Sequence, residues 1–299
     1  MRITNNMATQ LAVSQFDISR QKLEAAQRKV TTGQAFTAAS DDPTAATTVM
    51  ANSGALRALD QYKRNISAGT TRLSLEENAV NQLTTILTRA KELAVSQASD
   101  NASAQTRVAA LAEANQLVQQ AVTLANTQVG AEFLFGGSTS DTPPFVLDTS
   151  GAVYTFTASG GAGSRQVEIA AGQRASTGHD GVQVFGTMAS GALKSLQDFA
   201  TALNTGLRDN ISVTLPALDT AMDRTQTTLG EVGARQNQMQ IAQSNVSAFS
   251  QNLIALNSDL QDVDLETAMT ELISRQTAYQ AAMAATSRVM SLNLTDYLR

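Results

Sequence analysis

Apolar residues recur at three- and four-residue spacing through most of this chain, and the repeat breaks in only a few places. Leu59, Ile66, Leu73, Val80, Leu83, Leu87 and Ala94 fall on one face of a helix, with Tyr62, Gly69, Glu76 and Ala90 in the same stripe. After Ser99-Asp100-Asn101 a second stripe runs from Val108 through Leu111, Asn115, Val118 and Val122 to Val129. The longest is C-terminal: Met239, Val246, Phe249, Leu253, Leu256, Leu260 and Val263, resuming after a small phase adjustment at Leu265, Met269, Leu272, Tyr279, Met283 and Met290. Repeats sustained this far predict helices packed side by side. A helix from Pro43 to Ala98 would extend about 80 Å at ~1.5 Å per residue. A compact domain of this size has a radius of gyration of only about 19 Å. The expected fold is therefore mainly α, an elongated rod of long antiparallel helices.

The pattern changes in the middle. Of the 18 glycines, 12 lie between Gly130 and Gly191, together with Pro143 and Pro144. Short alternating runs occur there, at Ala152–Thr157, Arg165–Ile169 and Val182–Phe185, separated by Thr149-Ser150-Gly151, Gly160-Gly161-Ala162-Gly163 and Asp180-Gly181. Period-two patterning bounded by turn residues predicts a small inserted antiparallel β domain over 133–188. The glycine run at 160–163 lacks the Lys-Ser/Thr ending of a phosphate loop and is expected to connect a hairpin.

The ends carry stripes of their own. Ile3, Met7, Leu11 and Ile18, then Leu23 and Val30, mark an N-terminal face. Leu256, Leu260, Val263, Met269, Leu272, Tyr279, Met283, Met290, Leu294 and Leu298 mark the C-terminal one. A lone helix leaves such a stripe in water, so these segments need partners. Residues 1–32 hold five basic against two acidic side chains, and residues 231–299 four against seven. Screening makes each exposed pair weak, so charge biases the pairing of the two ends without driving it. A thin, Ala-rich pair would still expose much of its apolar surface. The ends are therefore expected to be poorly ordered in the free monomer and to order against neighbouring subunits.

Composition narrows the function. Aromatic residues make up only 4% with no Trp, a mixture suited to narrow helical seams. The formal net charge of −5 and the lack of any basic run argue against nucleic-acid binding. There is no Cys, so disulfides and thiolate metal sites are excluded. No run approaches the ~18 apolar residues of a membrane span, and no apolar signal core follows Met1, so neither membrane insertion nor a cleaved secretory signal is expected. His179, the only histidine, sits in Thr177-Gly178-His179-Asp180-Gly181 and reads as a turn; no nucleophile beside it suggests a triad. Asp41-Asp42 offers too few oxygens for a hard cation and reads as a helix cap. No cofactor is expected, and no enzymatic activity.

Certain residues carry a resemblance. Val30-Thr31-Thr32-Gly33-Gln34, followed by Ala39-Ser40-Asp41-Asp42-Pro43-Thr44-Ala45-Ala46, resembles the N-terminal signature of the bacterial flagellin superfamily. The local chemistry agrees: Gly33 can leave a helix left-handed, Asp42 can cap the next one, and Pro43 suits its first position. Phe133–Phe145, Leu260–Ala268 and the ending Leu292–Leu298 resemble the superfamily too, so the likeness spans nearly the whole chain. Within the superfamily, Pro43, Phe133–Phe145 and Leu260–Ala268 with that ending look most like a subunit at the junction of hook and filament; the filament flagellin is the alternative, disfavoured by Pro43 and the Tyr297-containing ending.

What the resemblance implies is a structural subunit, exported unfolded through the flagellar channel and residing outside the cell. It would associate with itself in a ring, contact the neighbouring junction protein and flagellin, and be held before export by a chaperone on its C-terminal region. The expected organisation is an N-terminal assembly segment (1–42), a helical rod in two parts (43–132 and 189–238), a β head (133–188) and a C-terminal assembly helix (239–299).

Overall fold

The computed structural model describes residues 2–99, 102–159 and 163–297; for residues 2–6, 8, 9 and 289–297 it describes the backbone alone. Seven helices and three strand pairs follow in order. Helices α1 (Arg2–Thr32), α2 (Pro43–Gln97) and α3 (Ala104–Ala125) come first. Strands β1 (Gln128–Val129), β2 (Glu132–Phe133), β3 (Phe145–Asp148), β4 (Thr155–Ala158), β5 (Gln166–Ala170) and β6 (Gln173–Ser176) form the insertion. Helices α4 (Gly181–Phe185), α5 (Ala192–Thr205), α6 (Arg208–Gln261) and α7 (Leu265–Tyr297) complete the chain. The expected fold class holds: long helices with a small insertion of antiparallel strands.

The helix ends follow from local chemistry. Gly33 adopts φ +70° and stops α1, and the Asp42 carboxylate accepts from the N–H groups of Thr44 and Ala45, with Pro43 opening α2. Ser103 caps α3 by accepting from Thr106 N–H at 3.1 Å. The phase adjustment read before Leu265 is a real break, at which Asp264 accepts from Glu266 N–H at 3.1 Å and starts α7. Among the described residues, no helix is long and apolar enough to cross a membrane.

The chain folds as two units. One comprises residues 1–58 and 249–299, the other residues 59–248. The core of the second is built from the predicted stripe: Leu83, Leu87 and Ala90 of α2 meet Val118 and Val122 of α3, Leu196 and Phe199 of α5, and Ile211 and Leu218 of α6, all buried. Val108, placed in that core by its spacing, is instead 69% exposed, because the seam of α3 starts only at Ala110.

The insertion joins this core through aromatics and two asparagines. Phe185 lies 5.0 Å from Phe135 and 5.9 Å from Phe145, edge to face, and Phe145 lies 6.0 Å from Phe156; all four are buried. Asn115, in the apolar stripe of α3, donates to Ala152 C=O at 2.9 Å and accepts from Tyr154 N–H at 3.0 Å. Asn126 does the same to both main-chain groups of Phe145, at 2.7 and 3.1 Å. The buried Asn115 and the half-buried Asn126 thus satisfy backbone groups near or within the β3–β4 hairpin.

Two readings of the insertion need correction. Val182-Gln183-Val184-Phe185 forms α4 rather than a strand, because the Asp180 carboxylate caps it by accepting from Gln183 N–H at 2.8 Å. Four alternating residues bury two apolar chains equally well on one helical turn. The glycine run at 160–163 does not close a hairpin. Strand β3 pairs with β4 and β5 with β6, so the run joins two separate hairpins; residues 160–162 lie outside the described residues.

Candidate assembly surface

The first unit is organised around α1 and α7, which lie against each other. Small residues bring the helices together: Ala26 and Ala268 are each 3% exposed. Phe16 and Tyr279 stack obliquely with ring centroids 5.2 Å apart. Lys29 reaches Glu271 at 3.9 Å across the pair, an exposed contact that orients more than it stabilises. The predicted charge bias is realised there.

A second tie lies where both helices end. The chain after Gly33 runs antiparallel to the break between α6 and α7, with Gln34 bridged to Asp262. Val263 N–H donates to Gly33 C=O at 2.9 Å, and Ala35 N–H donates to Gln261 C=O at 2.7 Å. Asp41 accepts from Thr37 N–H at 3.4 Å and Ala38 N–H at 3.2 Å, folding the loop that leads to the Asp42 cap. Asp42 is held below the ordinary carboxylate value by the N–H of Ala45 first and the hydroxyl of Thr44 next. Gly33, Asp41, Asp42 and Pro43 thus do turn and cap work, and Asp262-Val263-Asp264 does the same within the chain.

The terminal stripes divide. Leu23, Val30, Leu260, Val263, Leu272 and Tyr279 are half-buried, whereas Met7, Leu11, Ile18, Leu256, Met269 and Met283 are exposed. The side chains of Ile3, Met290 and Leu294 lie outside the described residues, as does Leu298 altogether. Phe249, Ile254 and Ile273 add to the exposed set, the last 62% exposed. Sequence spacing missed Ile254 and Ile273 because they lie off the stripe that faces the neighbouring helix. Large apolar side chains are thus exposed along three helices of this unit.

One polar cluster in the second unit also escaped the sequence. His179 is in the expected loop but is buried, with Glu76 and Glu231 on its two ring nitrogens. Those partners lie 103 and 52 residues away, beyond any local motif.

Comparison with known proteins fits this geometry. The model of the bacterial flagellin N-terminal helical region matches residues 3–140, and that of the flagellin C-terminal helical region matches residues 215–298. The chain belongs to the bacterial flagellin family, whose members are structural proteins of the flagellum. It is 27% identical over 290 residues to flagellar hook-associated protein 3 of Escherichia coli K12, covering 89% of this chain and 90% of that one. It is 22% identical over 295 residues to the flagellar filament 30.7 kDa core protein of Treponema maltophilum, covering 95% and 94%. The crystal structure of flagellar hook-associated protein 3 from Legionella pneumophila superposes with a TM-score of 0.62 at 15% identity, covering 71% of this chain and 98% of that one. That likeness supports the fold of long helices and inserted strand pairs.

Proposed function

We propose that this chain is the hook–filament junction subunit of the flagellum, joined to its neighbours by its paired terminal helices. The observation that carries the reading is the row of exposed large apolar side chains on those helices, Leu11, Met269 and Met283 among them. Burying what remains exposed of each contributes on the order of 1 kcal/mol, so several together favour docking of subunits. The occupants we assign are further copies of this chain in a ring, the adjoining hook-associated junction protein and flagellin. The same apolar C-terminal face suits an export chaperone before assembly. Export through the flagellar channel without a cleaved signal, and a location outside the cell, accord with family membership. The role is structural rather than enzymatic.

In this reading the segments 1–42 and 239–299 are the assembly elements and gain order on docking, while 43–132 and 189–238 support the β head over 133–188. Amide exchange on the free chain tests the first part: fast exchange at both ends in the monomer and protection after assembly is expected, and strong protection in the monomer would contradict it. The likeness to a filament core protein favours one second reading, the filament flagellin itself. A strain lacking the gene separates the two. Loss of the junction subunit releases flagellin into the medium, whereas loss of flagellin does not.

A further inference from the structure

His179 stands in the link between β6 and α4, and each of its ring nitrogens faces a carboxylate. Nδ1 lies 2.5 Å from Glu76 Oε1 on α2, and Nε2 lies 2.7 Å from Glu231 Oε2 on α6. A neutral imidazole carries one N–H and one bare lone pair. Whichever nitrogen is bare would set its lone pair against a carboxylate oxygen at hydrogen-bond distance. The geometry therefore calls for a second proton, and the imidazolium supplies it.

The surroundings favour that charge. Glu76 is 1% exposed and also accepts from the main-chain N–H of His179 at 3.2 Å, so its carboxylate is cut off from water and needs a cation beside it. Gly178 lets the loop come this close, because a Cβ there would lie 2.9 Å from Glu76 Oε2. Glu231 is 55% exposed and borders an open cavity of about 400 Å³, which gives protons a route to the ring.

We propose that His179 is a cationic clamp, which holds the segment linking β6 to α4 against both α2 and α6 and opens when the ring loses its proton. Arg235 of α6 supports the same segment by donating to Gly178 C=O at 2.8 Å. The charged groups around the ring are Glu76 and Arg72 from α2, Asp180 from its own loop, and Glu231, Arg235 and Arg224 from α6. Burial disfavours the charged ring, but the hydrogen bond and charge of Glu76 and the hydrogen bond of Glu231 outweigh it, so His179 titrates above the ordinary histidine value. A folded-state value raised above the unfolded one stabilises fully below about pH 6.5, and this stabilisation is lost as pH rises through the folded value. The clamp releases toward alkaline pH.

The sequence contains one histidine, so its ring resonances can be followed by NMR in the full chain without assignment. The expected midpoint lies above about 6.5. In Glu231→Gln the amide can donate to a bare Nε2 and favour the neutral ring, so the midpoint should fall by about one pH unit or more. The thermal midpoint of the wild type should decline over the range in which the ring titrates, and that of His179→Gln should not. A wild-type midpoint at or below about 6.5, an unchanged midpoint in Glu231→Gln, or a wild-type melting temperature indifferent to this range overturns the clamp. If His179→Gln does not fold, the Glu231→Gln titration, at an exposed position, decides alone.

Discussion

The N–H of Val263 donates to the carbonyl of Gly33 at 2.9 Å, so the residue that ends α1 also anchors the break that precedes α7. The two ends of the chain are thereby tied at a backbone contact as well as along a helical seam. Gly33 can make it because φ +70° carries the chain out of α1 and back toward Val263.

Gly33→Ala tests this tie. A Cβ at Gly33 would meet nothing within 4 Å, so the cost is purely that of forcing a side chain into the left-handed region, about 1–2 kcal/mol. Hydrogen exchange in the assembled protein should quicken at Val263 and Ala35, whose N–H groups depend on the turn, and stay unchanged in residues 59–248. Equal loosening of both units would show that the turn does not act locally.

The exposed apolar side chains give a test that separates assembly from folding. Leu11→Gln and Met283→Gln keep good helix formers at positions 66% and 48% exposed. Stability of the isolated chain should move by no more than about 0.5 kcal/mol. Each substitution should raise the concentration needed for assembly several-fold, since it removes remaining burial worth on the order of 1 kcal/mol. Unchanged assembly by the double variant would remove these side chains from the interface.

Much of this organisation was legible in the chain, and the exceptions have physical causes. Leu73, Val80, Leu83 and Leu87 could be read as a seam because their seven-, three- and four-residue spacing and their burial are the same fact seen twice. Gly33 and Asp42-Pro43 were legible because stopping and starting a helix needs those residue types within a few positions. Val182–Phe185 was not, since a four-residue alternation fits a strand and a single helical turn alike, and the Asp180 cap decides it. His179 looked like an ordinary turn residue because its burial is made by Glu76 and Glu231, which only the fold brings near. The exposed side of α7 was half legible: the stripe was plain, but which of its members face α1, as Tyr279 does in meeting Phe16, is set by the packing of the two helices.

Acid should loosen the start of α7. Asp264 is held below the usual 3.8, first by the Thr267 hydroxyl and next by the N–H of Glu266. A folded-state value below the unfolded one stabilises fully above about 3.8, and this contribution disappears as pH falls through the folded value. In the assembled protein, exchange at Glu266 and Thr267 should therefore rise far below neutrality in the wild type relative to the body of α7. In Asp264→Asn, whose amide oxygen can still accept but does not titrate, the rise should vanish. Identical acid profiles in the two proteins would show that the carboxylate is not what holds this end.

The last test removes the end itself. Every residue of the buried core cluster lies between Ala79 and Ala221, so the cluster owes no side chain to the C-terminal helix. Deleting residues 270–299 takes away Tyr279, and with it the ring contact to Phe16, and the exposed Ile273 and Met283, but leaves Asp262 to bridge Gln34. The unit formed by residues 59–248 should keep its melting temperature and its Phe135–Phe185 contact, which near-ultraviolet dichroism can follow. Incorporation into the organelle, located by electron microscopy of a tagged chain, should be abolished, because α1 then has neither its partner helix nor the apolar face the pair presents. A truncated chain that assembles like the wild type would mean that subunits are joined through some other surface, and the pairing of the two ends would be a feature of the monomer alone.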